Sequence, residues 1–188
     1  MKTRRALIAA AAAEFDRNGY AGTSLARVCS AAGVTMGALT FHFPTKGDLA
    51  SAVGDEGADL TCEALRATAQ RPAQGLGTLV ESTVTLARLL EEDVVVRAAA
   101  RLGQERAGTG MNSWHAAWMP QVRELLDRSA KDAEEYGDLA GIELLVIYLV
   151  AGAEAAVRAG KLDGSAQEQV RRLWELLLSG AGNRSASA

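Results

Sequence analysis

The sequence predicts an all-α protein of about nine helices. Three observations carry that expectation. Apolar residues recur at helical spacing through most of the 188 residues. Capping residues stand before many of these stripes, with Gly or Pro after them. No stretch shows the alternation of a half-buried strand, and no internal repeat is present.

In the first element, RRALIAAAAAEFDRNGY, Leu7, Ala11 and Phe15 form one stripe with Ile8 and Ala12 beside it, and Gly19 ends it. Residues 24 to 49, SLARVCSAAGVTMGALTFHFPTKGDL, read as two short helices joined by a glycine turn and closed by a third helix start. Thr23 or Ser24 caps the first, whose Leu25, Val28 and Cys29 share a face. Gly33 supplies the turn, because glycine takes positive φ at little steric cost. Thr35 caps the next helix, Met36 to about Phe43, and Pro44 stops it by removing a donor and restricting its predecessor. Thr45 and Asp48 form a capping box that opens a fourth helix. Three helices around one small core, the third free on its outer side, is the layout that lays a recognition helix in the major groove.

Breakers divide the remainder. A helix from about 45 to 70 is followed by a break from Pro72 to Gly77, a helix to about Leu90, another from about Val94 to Arg106, and a flexible AGTGMNS. Ser113 caps a helix running to about Asp132 and Asp138 one running to about Ala159. KLDGS leads to a last helix over 166 to 179. The expected organisation is a DNA-binding domain over 1–46, a helical ligand-binding and dimerisation domain over 47–181, and a small polar, disordered tail over 182–188.

The whole chain carries 20 Lys and Arg against 23 Asp and Glu, a mildly acidic balance that argues against indiscriminate coating of nucleic acid. The first 50 residues hold six cations (Lys2, Arg4, Arg5, Arg17, Arg27, Lys46) and three acids, net +3. That leaves 14 against 20, or −6, for the rest, so DNA is expected to favour the N-terminal end. Catalytic and metal-binding patterns are missing. The two histidines, His42 and His115, lack a glutamate three residues before them, and there is no Cys-x-x-Cys, phosphate-binding glycine loop or G-x-S-x-G. No enzyme, metal or cofactor is expected. Cys29 and Cys62 stand at no motif spacing, and no export signal opens the chain, so a reducing, cytoplasmic setting is expected. The longest apolar run, Leu144 to Ala153, is shorter than the roughly 18 residues a bilayer span needs, so no membrane partner is expected.

The run GYAGTSLARVCSAAGVTMGALTFHFPTKGDLA strongly resembles the N-terminal domain of TetR-type transcriptional repressors, over about the first quarter of the chain. The resemblance implies a repressor that binds a palindromic or pseudo-palindromic duplex operator. Within such a fold Arg27 and Thr35 reach phosphates or base edges, Lys46 meets a phosphate, and Arg4 and Arg5 follow the backbone, with Thr23 beside them. Thr35, Met36, Gly37, Thr40 and either Phe41 or His42 form the reading face, which has no Arg, Asn or Gln for a bidentate base contact. Discrimination then leans on thymine methyls and DNA shape. Met36 stands where such proteins commonly carry Lys, and Thr40 where they carry Tyr, so two phosphate contacts of the family are missing. His42, between two phenylalanines, serves equally well to fix the junction of the third and fourth helices.

The last two helices are both apolar. Leu139, Ile142, Val146, Leu149 and Ala153 form one stripe, and Val170, Leu173, Trp174 and Leu177 another. The resemblance implies that they pair with their copies in a homodimer; the alternative is that they serve as intrachain core.

Trp114 and Trp118 are four residues apart on one helical face, with Met119 and Val122 close by. They are either core or the lining of a pocket for a small apolar effector. ARLLEEDVVVRAAARLGQE followed by WHAAWMPQVRELLDRS resembles the γ-butyrolactone autoregulator receptors of actinomycetes, in which the tryptophan matching Trp118 lines the lactone pocket. The expected lining is Leu86, Leu90, Leu102, Trp114, Trp118, Met119, Val122 and Tyr148, and a γ-butyrolactone is the effector implied. Two alternatives stand: an orphan or pseudo-receptor answering to an antibiotic or its precursor, and a dimer partner that has lost DNA binding.

Overall fold

The computed structural model describes residues 2–70, 75–106, 114–129 and 138–185. The described residues form nine helices and no strand: α1 (Lys2–Gly22), α2 (Leu25–Ala32), α3 (Met36–His42), α4 (Lys46–Ala69), α5 (Leu76–Glu92), α6 (Val94–Glu105), α7 (Trp114–Arg128), α8 (Leu139–Ala159) and α9 (Ala166–Ser185).

The expected punctuation is present in atomic detail. Gly19 (φ 69°, ψ 179°) breaks α1 into two segments. Ser24 caps α2 by accepting from the Arg27 amide, and Gly33 closes it in the left-handed region with φ 64°. Thr35 caps α3 by accepting from the Ala38 amide at 3.2 Å. Thr45 accepts from the Asp48 amide at 3.1 Å while its own amide donates to the Asp48 carboxylate at 2.9 Å, a reciprocal box that satisfies two amides otherwise left open. Asp138 caps α8 by accepting from the Gly141 amide. Two elements differ at their ends. α7 stops at Arg128 rather than near Asp132, and α9 runs on to Ser185, beyond the expected 179 and into the expected tail. The Ser113 cap, the AGTGMNS loop and residues 186–188 lie outside the described residues.

The chain divides into two compact units, residues 1–62 with 93–117, and residues 63–92 with 118–188. The division falls within α4 and within α7. The first unit therefore reaches beyond the 1–46 segment. Its core joins Leu7, Ile8, Ala11, Ala12 and Phe15 of α1 to Val28, Cys29, Leu39, Phe43, Leu49, Ala50 and Val53, and α6 adds Ala98 and Leu102. Polar ties hold α6 to α1. Arg97 pairs with Asp16 at 3.1 Å, Arg101 donates to the Asp16 carbonyl at 2.7 Å, and the Tyr20 amide donates to Glu105 at 2.6 Å.

In the second unit α5 packs against α8 and α9. It is buried almost all round, including Thr78, Ser82, Thr83 and Thr85. Its hydroxyls are satisfied locally, Ser82 donating to the Thr78 carbonyl and Thr83 to that of Leu79, each at 2.8 Å. Thr85 meets the Thr68 hydroxyl of α4 at 3.1 Å. Arg171 of α9 grips Glu81 of α5 through both terminal guanidinium nitrogens, one to each carboxylate oxygen.

α8 is longer than the uninterrupted apolar run suggests. It has 21 residues, and an 18-residue window of it with mean hydropathy 1.8 is long and apolar enough to cross a membrane by length and composition alone, though only 28 % of that window is buried. Among the described residues it is the single helix that meets this test. It carries Glu143, Glu154 and Arg158.

Candidate DNA-reading and effector site

α3 is held from one side only. Leu39 is fully buried, while Met36, Gly37, Thr40 and Phe41 face outward, Phe41 with 83 % of its surface exposed. Thr35, Met36, Gly37 and Thr40 are all exposed. A Cβ on Gly37 would meet nothing closer than the Thr35 hydroxyl at 3.9 Å, so intrachain packing does not require glycine there. The Thr40 hydroxyl donates back to the Met36 and Gly37 carbonyls at 3.1 and 3.2 Å. His42 is half-buried, with its ring edge-on to Phe41 at 5.3 Å and tilted toward Phe43 at 6.4 Å, which suits a junction residue.

The surrounding cations differ in how far they are committed within the chain. Arg5 is exposed. The Arg4 guanidinium lies 5.4 Å from the Phe43 ring centre. Arg27 donates to the Gly22 carbonyl at 2.5 Å and lies 3.8 Å from Glu14, while most of its side chain stays exposed. Lys46 stands 4.5 Å over the Tyr20 ring and 3.5 Å from the Ala21 carbonyl, and partial burial lowers its pKa. Arg106 lies 4.4 Å from the same Tyr20 ring. Tyr20 is thus clamped by two cations, an arrangement that no sequence spacing reveals, since Lys46 and Arg106 come from distant segments.

Thr23 corrects an expectation. It is 3 % exposed, and its hydroxyl donates to the Glu14 and Gly19 carbonyls at 3.0 and 2.8 Å, so it ties the end of α1 and is not presented to DNA. The hydroxyl thus ties the segment after the kink at Gly19 back to the body of α1, where the Glu14 carbonyl also accepts from the Asn18 side chain at 3.2 Å.

The expected effector residues divide between the two units. Leu102 is committed to the first unit's core beside α1. Trp114 belongs to the same unit, with its indole N–H donating to the Thr61 hydroxyl at 2.8 Å. Leu86, Leu90, Trp118, Met119 and Val122 are buried in the second unit. Tyr148 is 65 % exposed on the outside of α8. The second unit does contain a cavity of about 470 Å³. One wall is the end of α4 (Leu65, Arg66, Ala69, Gln70), another is Ser82 of α5, and the third is α7 (Gln121, Val122, Glu124, Leu125, Arg128). Val122 alone of the expected residues lines it. The remaining lining was visible in the sequence only as helical spacing, 66 with 70 and 121, 125 and 128, without the aromatic signal that drew attention to the tryptophans.

The expected dimer stripe is split in the same way. Ile142, Val146, Ala153, Val170 and Trp174 are buried within the chain, and Leu139 and Leu149 are half-buried. These residues form the intrachain side of α8 and α9. Leu173 and Leu177 remain exposed, joined by Leu144, Tyr148 and Leu176. Both helices are apolar on two sides, so periodicity alone picked the stripe facing α5. Between them runs a groove of about 260 Å³ lined by Tyr148, Leu149, Gly152, Ala153 and, from α9 and its start, Ala166, Gln169, Val170 and Leu173. Among the described residues, no cluster of three or more His, Cys, Asp or Glu is placed to hold a metal.

Comparison with known proteins gives three kinds of likeness. The family model for bacterial regulatory proteins of the tetR family matches residues 7–53. The A-factor receptor protein of Streptomyces griseus is 24% identical over 180 residues, which is 95% of this chain and 63% of that protein, so the chain spans less than two thirds of the length of this curated relative. A crystal structure of a gamma-butyrolactone receptor (ArpA-like protein) superposes with a TM-score of 0.76 at 28% identity, covering 95% of this chain and 87% of that one. The crystal structure of full-length TylP, a TetR regulator from Streptomyces fradiae, superposes with a TM-score of 0.62 at 30% identity, over 95% of this chain and 85% of that one.

Proposed function

Since the chain belongs to the tetR family of bacterial regulatory proteins, which are not enzymes, we propose that it is a ligand-responsive DNA-binding repressor acting as a homodimer. The observation that carries this reading is the outward face of α3. A capped helix fixed by Leu39 exposes Met36, Gly37, Thr40 and Phe41 in the half of the chain that carries net positive charge. Two such helices, related by a two-fold axis, enter successive major grooves about 34–36 Å apart and select a pseudo-palindromic operator. The reading face supplies apolar contact to thymine methyls, with Arg5, Arg27 and Thr35 at the phosphates.

The second copy covers the exposed Leu144, Tyr148, Leu173, Leu176 and Leu177. This accounts for the apolar outside of α8 without lipid, and the reading has the protein act in the cytoplasm with its operator. The effector has a largely apolar body and occupies the cavity beside the end of α4. α4 is one helix from Lys46, directly after the recognition helix, to Ala69 at the cavity wall. A ligand that favours one position of this helix changes the spacing of the two reading heads and releases the operator. It acts only through its differential affinity for the two states.

One observation favours a second reading, a dimer partner with little DNA binding of its own: Thr40 is turned back onto its helix and Lys46 onto Tyr20 and Ala21. The test is a titration of the full chain onto its own promoter fragment across a salt series, against an unrelated competitor, before and after a γ-butyrolactone extract. Specific binding released by the extract is the expected result. Specific binding that the extract leaves unchanged removes the lactone, and equal binding to competitor at every salt concentration removes the operator.

A further inference from the structure

The cavity beside the end of α4 has a floor of Leu65, Val122 and Leu125 and a charged mouth. Its three ionisable lining residues are Arg66, Glu124 and Arg128. Glu124 and Arg128 form an ion pair one turn apart on α7. Arg66, exposed at the end of α4, has no carboxylate within ion-pair distance among the described residues. Among the described residues the lining therefore presents one uncompensated cation above an apolar floor, with no acidic group left over to accept from a neutral polar head. A guanidinium offers a planar fork of donors that matches a carboxylate and is poorly matched to an ester oxygen.

Resting on the effector-gated reading above, we propose that this chain's effector is an amphipathic carboxylic acid, its chain on Leu65, Val122 and Leu125 and its carboxylate on Arg66. The volume, about 470 Å³, is in the range of small-molecule pockets and holds a medium-length acyl chain. Because Arg66 lies on α4, an acid bound there engages the same helix that begins beside α3, and head-group recognition and the change in DNA affinity become one event.

The test compares octanoate with γ-octalactone, which share a carbon count and differ in charge. Calorimetry at pH 7.5 on the full chain uses wild type, Arg66→Gln, and Arg123→Gln as a control whose guanidinium pairs with Glu143 away from the cavity. A hydrogen bond to a charged group sets the scale. Octanoate is expected to bind wild type roughly tenfold or more tighter than the lactone, and Arg66→Gln to erase that preference with lactone affinity unchanged. Arg123→Gln is expected to behave as wild type. Equal or tighter binding of the lactone overturns the proposal, as does a preference that survives in Arg66→Gln or the failure of octanoate to bind. Release of promoter DNA, measured alongside, separates this from the wider reading. Arg66-dependent octanoate binding without release leaves the head-group assignment standing and removes effector gating. Release by the lactone alone does the reverse.

Discussion

Gly57 of α4 sits where the chain has room for no side chain at all. A Cβ built there would lie 2.5 Å from the Cβ of Ala99 on α6 and 3.0 Å from the Val95 carbonyl oxygen. Carbon atoms make favourable contact at about 3.5–4.0 Å, so Gly57→Ala forces α4 and α6 apart by on the order of 1 Å. Overpacking of this kind costs about 1–3 kcal/mol, and the better helix propensity of alanine returns up to about 1, for a net loss of about 1–2 kcal/mol. Ala99→Gly alone gives up propensity and one buried methyl, together about 2 kcal/mol. In the double variant the carbon–carbon clash is gone and only the contact with Val95 remains. The pair should therefore be more stable than the sum of the single effects by about 1 kcal/mol or more. Urea unfolding midpoints of the four proteins, at one protein concentration and with a common slope, measure this coupling. Additivity within about 0.5 kcal/mol, or a Gly57→Ala protein more stable than wild type, refutes the close crossing as the reason for glycine.

Three further outcomes follow from the same coordinates. Phe41→Ala should weaken promoter binding by about fivefold through lost apolar contact, while its unfolding midpoint stays within about 0.5 kcal/mol of wild type because the ring is 83 % exposed; unchanged affinity in a gel shift counts against the reading face. Leu177→Glu places a charge on the exposed face of α9 and should turn the dimer into monomer in sedimentation, with the fold retained by circular dichroism. Glu154 is 4 % exposed, and its pKa is raised by burial, with Arg158 pulling the other way. The native state therefore holds its proton more tightly than the unfolded chain, and the cost of the charge appears as pH rises from the ordinary carboxyl value through the raised one. Glu154→Gln should be the more stable protein at neutral pH, with the gap to wild type closing as pH falls toward 4.5; a gap that widens on acidification contradicts the sign.

What could be read from the sequence was local. Thr35, the Thr45 and Asp48 box, Gly33 and Asp138 act within one turn of their own position, so residue type and spacing determine them. Thr23 defeated the same logic because its hydroxyl reaches back across the kink at Gly19 to the Glu14 and Gly19 carbonyls, and nothing in its neighbourhood marks a buried threonine. The reading face of α3 was legible because helical spacing turns Leu39 inward and leaves Met36, Gly37 and Thr40 on the outer side. The long-range choices were not. α8 and α9 are apolar on both sides, and only the position of α5 decides that Val146 and Trp174 go in while Tyr148 and Leu177 stay out. Leu102 looked like pocket lining because Leu is apolar anywhere, but Arg97 and Arg101 on the same helix bind Asp16 and so turn that face to α1. The cavity beside the end of α4 was not legible because no aromatic residue lines it and the spacing of Leu65, Val122 and Leu125 is that of any buried helix face.

The attachment of α6 to α1 limits how this protein can be cut and recombined. Ala98 and Leu102 close a core otherwise built from the first 53 residues, and they arrive from a segment some 40 positions later in the chain. A fragment ending after residue 46, or after 62, would leave Leu7, Ala11 and Phe15 without that cover. Exchanging reading heads between relatives by a single junction would join one protein's α1 to another's α6. Grafts that carry residues 93–106 along with the N-terminal segment keep the two surfaces matched, so the transplantable reading head is a discontinuous piece of chain.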